Sequence, residues 1–407
     1  MYLDRTMGDC WREAGEQFPV LLLTGPRQVG KTTLLEHLRE RDRRYVTLDD
    51  PTLRAAAVDD PALFLQRFEP PVLIDEIQYA PQLLPLVKMS VDAHRRPDMF
   101  WLTGSQQFQM MKGISESLAG RVAILNLLGL SSRERHRLEL NVPPFLPTRE
   151  TVEQREGSAV PSDVNSVFRD IWLGAFPSLT AGPIRDRDLF YSSYLQTYLQ
   201  RDVKDLAQVG DEMAFVRFLR ACAARTAQML NLTDLARDAD VAVNTAKSWL
   251  SILQASFQVY LLPPYFSNVT KRLVKTPKLY FLDTGLAAYL TEWSSPETLA
   301  AGAMAGAMLE THVLCELLKS WWHRGKSPQL HYYRDRDGHE IDFLFVQDHV
   351  FYPVEVKKTA SPRRELAQPF GALRRLKHPV GKGAVVCLCQ QIVPLAQDVD
   401  AVPVGVI

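Results

Sequence analysis

Several features that would take a chain out of the ordinary folded class are scarce here. Five cysteines in 407 residues (Cys10, Cys222, Cys315, Cys387, Cys389) include no Cys-x-x-Cys pair and are too few for a disulfide framework. Cys387 and Cys389 fall in an apolar run, where strand alternation puts both thiols on one face; buried structural residues are favoured over metal ligands, since no further Cys or His cluster accompanies them. No stretch approaches the ~20 apolar residues that span a bilayer. The opening MYLDRTMGDCWREAGEQ lacks the basic start, apolar core and small-residue cleavage site of a signal peptide. The expectation is a cytoplasmic protein with no membrane partner. Excess charge is missing too: 47 Lys plus Arg balance 47 Asp plus Glu, which excludes a histone-like polybasic chain and confines any nucleic-acid surface to a local patch. Internal repeats and low-complexity tracts are absent.

What is present is 46% hydrophobic and 23% charged, enough for buried cores. At about 150 residues per domain this length predicts two or three domains. Short apolar runs at Pro19–Leu23, Tyr45–Leu48, Val72–Ile74, Phe100–Thr103 and Val122–Leu127 alternate with helical patterns, which predicts a mostly parallel α/β sheet over 1–130. From Ser131 the chain turns polar and Pro-rich, with a charge run at Arg133–Arg137; this reads as a linker or lid, not a core, and with the helical pattern after it forms a unit over 131–205. A mainly helical module follows over 206–300. The last unit, 301–407, reads as αβββαβ: a helix near Gly302–Trp322, strands at His331–Arg334, Glu340–Val346 and Val350–Lys357, a helix near Glu365–Leu376, and strands at Ala384–Leu388 and Val402–Val406.

Gly25-Pro26-Arg27-Gln28-Val29-Gly30-Lys31-Thr32 fits G-x-x-x-x-G-K-[ST] without a mismatch, between an apolar run and the helical stretch beginning at Thr33. Backbone N–H groups of such a loop curl around phosphates, the lysine neutralises the β and γ charges, and the Thr32 hydroxyl reaches Mg²⁺. ATP and Mg²⁺ are therefore the expected ligands, with 25–33 as the binding loop. Val72-Leu73-Ile74-Asp75-Glu76 supplies the carboxylates such a loop needs: Asp75 beside the metal, and Glu76 as candidate base for the attacking water. Ser105, after Phe100–Thr103, is the candidate γ-phosphate sensor. Arg121, just before Val122–Leu127, is either an arginine acting on the γ-phosphate, within the chain or from a neighbouring subunit of a homo-oligomer, or a surface ion pair.

Taken together, this loop, Leu48-Asp49-Asp50-Pro51, Ile74-Asp75-Glu76-Ile77-Gln78, Leu102-Thr103-Gly104-Ser105 and Leu118-Ala119-Gly120-Arg121 resemble the prokaryotic AAA-type ATP-binding proteins that carry a carboxy-terminal domain of uncharacterised function. The resemblance extends through Tyr198–Val203, Lys278–Gly285 and the last hundred residues. It implies an ATPase module near the archaeal and signal-transducing branches of the AAA superfamily. Those branches often show Gly-Gly-x-Pro after the core, where this chain has Gly174-Ala175-Phe176-Pro177.

Leu232–Ala239 followed by Val241–Leu253 has the layout of a helix-turn-helix, with Leu235, Ala236, Ala246, Leu250 and Leu253 at helical spacing and Thr233 and Asn244 as expected caps. Strands at Val259–Leu262 and Lys278–Leu282 would complete a winged helix. In a DNA reader Asn244, Thr245, Lys247 and Ser248 face the major groove and Lys271 and Arg272 meet phosphates; in AAA-type proteins the same module also serves as a lid or a dimerisation surface.

The final unit holds a second set of acids. Alternation puts Glu340 and Asp342 on one side of a strand and Glu355 and Lys357 on one side of the next, so a hairpin pairing joins Asp342, Glu355 and Lys357. Two carboxylates that bind Mg²⁺ against a phosphodiester, with a lysine at the attacking water, make hydrolytic chemistry. An Asp followed 13 residues later by Glu-x-Lys in an αβββαβ order resembles the PD-(D/E)xK nucleases, and Glu310 matches the acid on their first helix. The resemblance implies metal ligands Glu310, Asp342 and Glu355, catalytic Glu355 and Lys357, and DNA as partner. A salt-bridged structural trio or an inactive binding fold, used in a nucleotide-dependent regulatory or protein-binding switch, is the alternative. Lys358, Arg363, Arg364, Arg374, Arg375 and Lys377 offer a local basic face.

Overall fold

The computed structural model describes residues 2–104, 117–159, 163–198, 211–266, 276–335, 337–376 and 378–407. Strands β1 (Val20–Thr24), β2 (Arg44–Thr47), β3 (Val72–Asp75), β4 (Phe100–Gly104) and β5 (Val122–Asn126) form one parallel sheet in the order β2-β3-β4-β1-β5. β1, β3 and β4 are buried along their whole length, which is why they read as continuous apolar runs and not as alternating ones. The helices Lys31–Leu38, Pro51–Asp59, Pro61–Arg67 and Leu83–His94 fall between the strands. Asp50 caps the first turn of Pro51–Asp59 by accepting from the Thr52 and Leu53 N–H groups, and Asp60 does the same at Leu63 for the next helix.

The middle of the chain folds as Glu212–Ala224, β6 (Gln228–Met229), Leu232–Ala239, Val243–Ala255, β7 (Val259–Leu262) and β8 (Lys278–Phe281), with the strands antiparallel in the order β6-β8-β7. Leu235, Ala236, Ala246, Leu250 and Leu253 are buried, as their spacing predicts. The expected caps are corrected: Asn231, in extended backbone, caps Leu232–Ala239 through the Asp234 N–H, and Ala242 precedes the second helix with no side-chain cap, so Thr233 and Asn244 lie inside first turns.

The carboxy-terminal part packs the helix Ala305–Trp322 against a six-stranded sheet ordered β13-β14-β12-β11-β10-β9. Its strands are β9 (Leu330–Arg334), β10 (Glu340–Gln347), β11 (Val350–Lys357), β12 (Gly383–Cys387), β13 (Val393–Ala396) and β14 (Val399–Pro403). Two details depart from expectation. Arg364–Arg375 is a 3₁₀ run containing Pro369 and not an α-helix, and the single strand expected at Val402–Val406 is a hairpin, β13 and β14, followed by a 3₁₀ turn. Cys387 and Cys389 are buried and free.

The segment after Ser131 is not a linker. Phe145 and Arg155 are buried, and the start of the charge run is interior: Glu134 is 1% exposed and Arg133 4%, while His136 and Arg137 are exposed. Glu134 pairs with Arg5 at 3.2 Å and His323 at 3.3 Å, Arg135 pairs with Asp170 at 2.7 Å, and Arg155 donates to the Val406 carbonyl at 2.8 Å. Partners distant in the chain, with Arg5, His323 and Val406 each more than a hundred residues away, turn a polar sequence into core, and one apolar cluster runs from Leu21 of β1 through Leu253 to Ile407. No described helix is long and apolar enough to cross a membrane.

Candidate nucleotide site and carboxylate cluster

β1 ends at Thr24 and the loop 25–30 carries the chain to the helix Lys31–Leu38. Gly25 is required because a Cβ there would meet the Leu127 carbonyl oxygen at 2.0 Å, and Gly30 has φ 89°, a conformation that side chains disfavour. The Lys31 ammonium lies inside the loop, donating to the carbonyls of Gly25 at 3.0 Å and Pro26 at 2.8 Å. Arg5 braces the loop from outside, donating to the Val29 carbonyl at 2.9 Å.

Asp75 ends β3, separated from β1 by β4. Thr32 donates to its two oxygens at 3.0 and 3.2 Å, Tyr45 donates at 3.2 Å, and the buried Thr103 hydroxyl also donates. Burial raises the Asp75 pKa, and the hydroxyl donors oppose that rise. Glu76 follows in the left-handed region at φ 58°, its N–H donating to Thr103 at 3.2 Å and its carboxylate accepting from Gln78. A charged side chain in a conformation costing about 1–2 kcal/mol is characteristic of sites where position matters more than local comfort. Thr32, Asp75 and Glu76 thus offer hard oxygen donors, the chemistry Mg²⁺ prefers. Thr103 and Tyr45 were missed from sequence; strand alternation would have placed Thr103 on the face shared with Trp101, but nothing local ties it to Asp75.

A cavity of about 360 Å³ opens beside the loop, lined by Tyr2, Arg5, Gly30, Thr33, Pro177 and Ser178 among others. Its wall comes from the first residues and from Pro177–Pro183, neither of which carries a phosphate-loop signature. Arg121 is at the opposite end of the sheet: Val20 donates to its carbonyl, and Thr24 lies four residues along, about 13 Å away at ~3.3 Å per residue. Its guanidinium pairs with Asp92 at 2.6 Å. Reach to the loop within one chain is thereby excluded. Ser105, Lys271, Arg272 and Lys377 lie outside the described residues.

In the carboxy-terminal sheet Phe343 of β10 faces Val354 of β11, so Asp342 stands beside Glu355 and Val356. The Asp342 carboxylate accepts from the Val356 N–H at 2.9 Å, Glu355 accepts from the Asp342 N–H at 3.3 Å, and Lys357 donates to Glu355 at 2.6 Å. Glu310 comes in from the helix Ala305–Trp322 and accepts from Tyr280 at 2.5 Å. The expected set is brought together, with Lys278 of β8 added: its ammonium lies 3.2 Å from Glu310, 3.6 Å from Asp342 and 2.5 Å from Glu340. Burial, with Asp342 adding repulsion, pushes the Glu310 and Glu355 pKa values up to about 7. Burial opposes the charge on Lys278, and the three carboxylates outweigh it, holding its pKa above the ordinary range. Glu310, Asp342 and Glu355 are the oxygen donors a divalent cation takes, but a tethered cation already stands among them.

Of the residues expected to face DNA, Asn244, Lys247 and Ser248 are exposed and Thr245 is half-buried. Lys358, Arg363, Arg364, Arg374 and Arg375 are exposed, although Arg375 pairs with Asp337 at 2.5 Å.

A family model described as an AAA domain matches residues 17–136. Domains of unknown function match 165–297 (DUF8612) and 305–407 (DUF4143). With its loop and parallel sheet, this stretch is an AAA-type ATP-binding domain. It is 32% identical over 399 residues to the uncharacterized proteins Rv2008c of Mycobacterium tuberculosis and Mb2031c of Mycobacterium bovis, covering 96% of this chain and 81% of each of them. The chain belongs to one family with these two proteins. Among solved structures it is similar to the Walker-type ATPase PABY2304 of Pyrococcus abyssi, at 17% identity and TM-score 0.43, over 71% of this chain and 96% of that one.

Proposed function

We propose that the chain is a Mg²⁺-dependent ATP hydrolase whose nucleotide state is coupled to a winged-helix module and a nuclease-like domain acting on DNA. The carrying observation is the Thr32–Asp75 hydrogen bond, which joins the phosphate loop to the carboxylate of β3 beside a cavity of base size. Residues 25–33 hold the phosphates, Lys31 turning from the loop carbonyls to the β and γ oxygens. The base enters between Tyr2 and Pro177. Mg²⁺, held through Thr32 and Asp75, supplies neutralisation of phosphate charge. Glu76 orients and deprotonates the attacking water, Ser105 senses the γ-phosphate, and Arg121 serves the site of a neighbouring copy, because its own loop is out of reach.

Two connections support coupling. Pro177 lies against Gly30, and two residues back the Ala175 N–H donates at 2.8 Å to Asp283, which follows β8 by two residues. Arg5 joins the loop to Glu134 and so to His323, at the end of the helix that carries Glu310. Glu310 and His323 are thirteen residues apart, about 20 Å of helix. The helix–strand order and the β6-β8-β7 sheet support the winged-helix reading, with Val243–Ala255 as the reading helix. Glu310, Asp342, Glu355 and Lys357 support the nuclease-like reading, with the metal ligands and lysine in the roles expected above.

A second reading, a nucleotide-dependent regulatory or protein-binding switch that does not cut, is favoured by Lys278 among the carboxylates. Plasmid and oligonucleotide cleavage with Mg²⁺ or Mn²⁺, with and without ATP, separates the two. Cleavage lost in Asp342→Ala and Lys357→Ala upholds the first; intact DNA under every condition upholds the second. Phosphate release that survives in Lys31→Ala refutes the ATPase assignment itself.

A further inference from the structure

Lys278 belongs to the middle module by sequence and to the carboxy-terminal site by position. It opens β8, the central strand of the three-stranded sheet, where its backbone pairs with Met229 and Leu262. Its side chain leaves that sheet and is 4% exposed. The approach is fixed on both flanks: Tyr332 of β9 donates its hydroxyl to the Thr276 carbonyl at 2.6 Å, and the Tyr332 and Tyr265 N–H groups exchange backbone hydrogen bonds with Pro263 and Tyr332 across the two modules. These contacts fix where β8 delivers the ammonium.

A buried lysine needs a counter-charge, and a single carboxylate would suffice. This one has three within 3.6 Å, two of which, Glu310 and Asp342, are the acids that would ligate a divalent cation. Glu340 is the nearest partner and lies outside that ligand set. It anchors the ammonium at the rim, so that the charge sits over the ligand oxygens without being one of the site's own residues. Two like charges a few ångströms apart repel by several kcal/mol even at an effective dielectric of about 20. The lysine and a metal ion on Glu310 and Asp342 therefore exclude each other.

We propose that Lys278 is a tethered counter-cation that competes with a divalent metal for the Glu310–Asp342–Glu355 carboxylates, so that docking of β8 holds this site closed to metal and its withdrawal opens it. The inference rests on reading the cluster as a metal site. Since Asp283, two residues after β8, accepts from the Ala175 N–H two residues before Pro177, which lies against Gly30, the segment that carries Lys278 is also tied to the wall of the phosphate loop.

The test is Mn²⁺ binding to the nucleotide-free full chain, read by the loss of the free-ion electron paramagnetic resonance signal and needing no turnover. Lys278→Gln gains one Mn²⁺ site per chain that is at least about tenfold tighter than any in wild type, a gain of 1.4 kcal/mol or more. Lys278→Arg, which keeps the charge, does not gain it, and adding Asp342→Asn to Lys278→Gln abolishes it. Glu340→Gln, which loosens only the anchor, gives a smaller gain in the same direction and covers the case in which Lys278→Gln fails to fold. Wild type binding Mn²⁺ at an Asp342-dependent site as tightly as Lys278→Gln would overturn the competition and leave the metal-site reading standing. Folded Lys278→Gln and Glu340→Gln that bind no Mn²⁺ overturn the metal-site reading and the inference with it.

Discussion

Asp75 and Asp342 are both buried acids at strand positions facing other chemistry, and the protein surrounds them in opposite ways. Asp75 is met by hydroxyls, from Thr32, Tyr45 and Thr103, with no cation paired to it among the described contacts. Asp342 sits in a cluster of acids and ammonium groups: Glu355 accepts from its N–H and pairs with Lys357, and Lys278 bridges it to Glu310 and Glu340. Hydroxyl donors stabilise a carboxylate without neutralising it, leaving the positive charge to arrive with the nucleotide. Ammonium groups neutralise in advance. On the proposed reading, the first arrangement would receive a metal directly, and the second would first have to lose a cation.

The largest expected effect tests whether the first site works alone. Lys31→Ala lowers ATP-dependent phosphate release by about a hundredfold or more, the scale of losing a charge-stabilising donor, while Lys357→Ala leaves it unchanged. Equal loss in both variants would mean that the two sites are one. Next in size, Arg121→Ala lowers turnover by at least about tenfold, and mixing it with Lys31→Ala restores part of the rate, because one chain keeps the loop and the other the arginine. No recovery on mixing, measured across protein concentration, removes the shared-site reading.

Thr103→Val tests the hydroxyl cage more gently. Losing a donor pushes the Asp75 pKa further up, so the Mg²⁺ concentration for half-maximal hydrolysis rises by about 1–3 kcal/mol in equivalent binding, with little change at saturation. An unchanged Mg²⁺ dependence would put Thr103 in the packing alone. The smallest effect concerns the crowded acids. Glu310 titrates at about 7 in the fold against 4.5 when exposed, so its contribution to stability is fully present below about pH 4.5 and is lost as pH rises through 7. Glu310→Gln removes that loss: the drop in Tm between pH 5 and pH 8 is smaller in the variant by a few degrees. A drop as large as in wild type assigns the pH dependence elsewhere, to Glu355 first.

What could be read in advance follows from how local each feature is. The phosphate loop is eight consecutive residues and β3 is a four-residue apolar run ending at Asp75, so both are legible in the sequence. The Asp342–Glu355 pairing follows from alternation across one hairpin, and the register delivers it. Lys278 was unreadable: it sits 32 residues before Glu310 and 64 before Asp342, inside a run that reads simply as a strand. The wall made by Tyr2 and Pro177 fails for the same reason, since neither residue type announces a base. Ser131–Ala159 reads as a linker because its polar groups are satisfied mostly by residues far off in the chain, Arg5, His323 and Val406, with Asp170 closer by.

The Arg5–Glu134–His323 trio bears on inheritance. Arg5 precedes the first matched stretch, Glu134 falls within it and His323 within the last, and all three side chains are no more than 4% exposed. Burial favours the neutral acid, yet Arg5 and His323 hold the Glu134 carboxyl well below its usual range. A variant that lacks Arg5 or Glu134 but keeps the other strands a charge in the interior at about 3–5 kcal/mol. Arg5 and Glu134 are therefore expected to be exchanged together when the front of this chain is grafted onto another, with His323 adding a neutral contact from the last matched stretch.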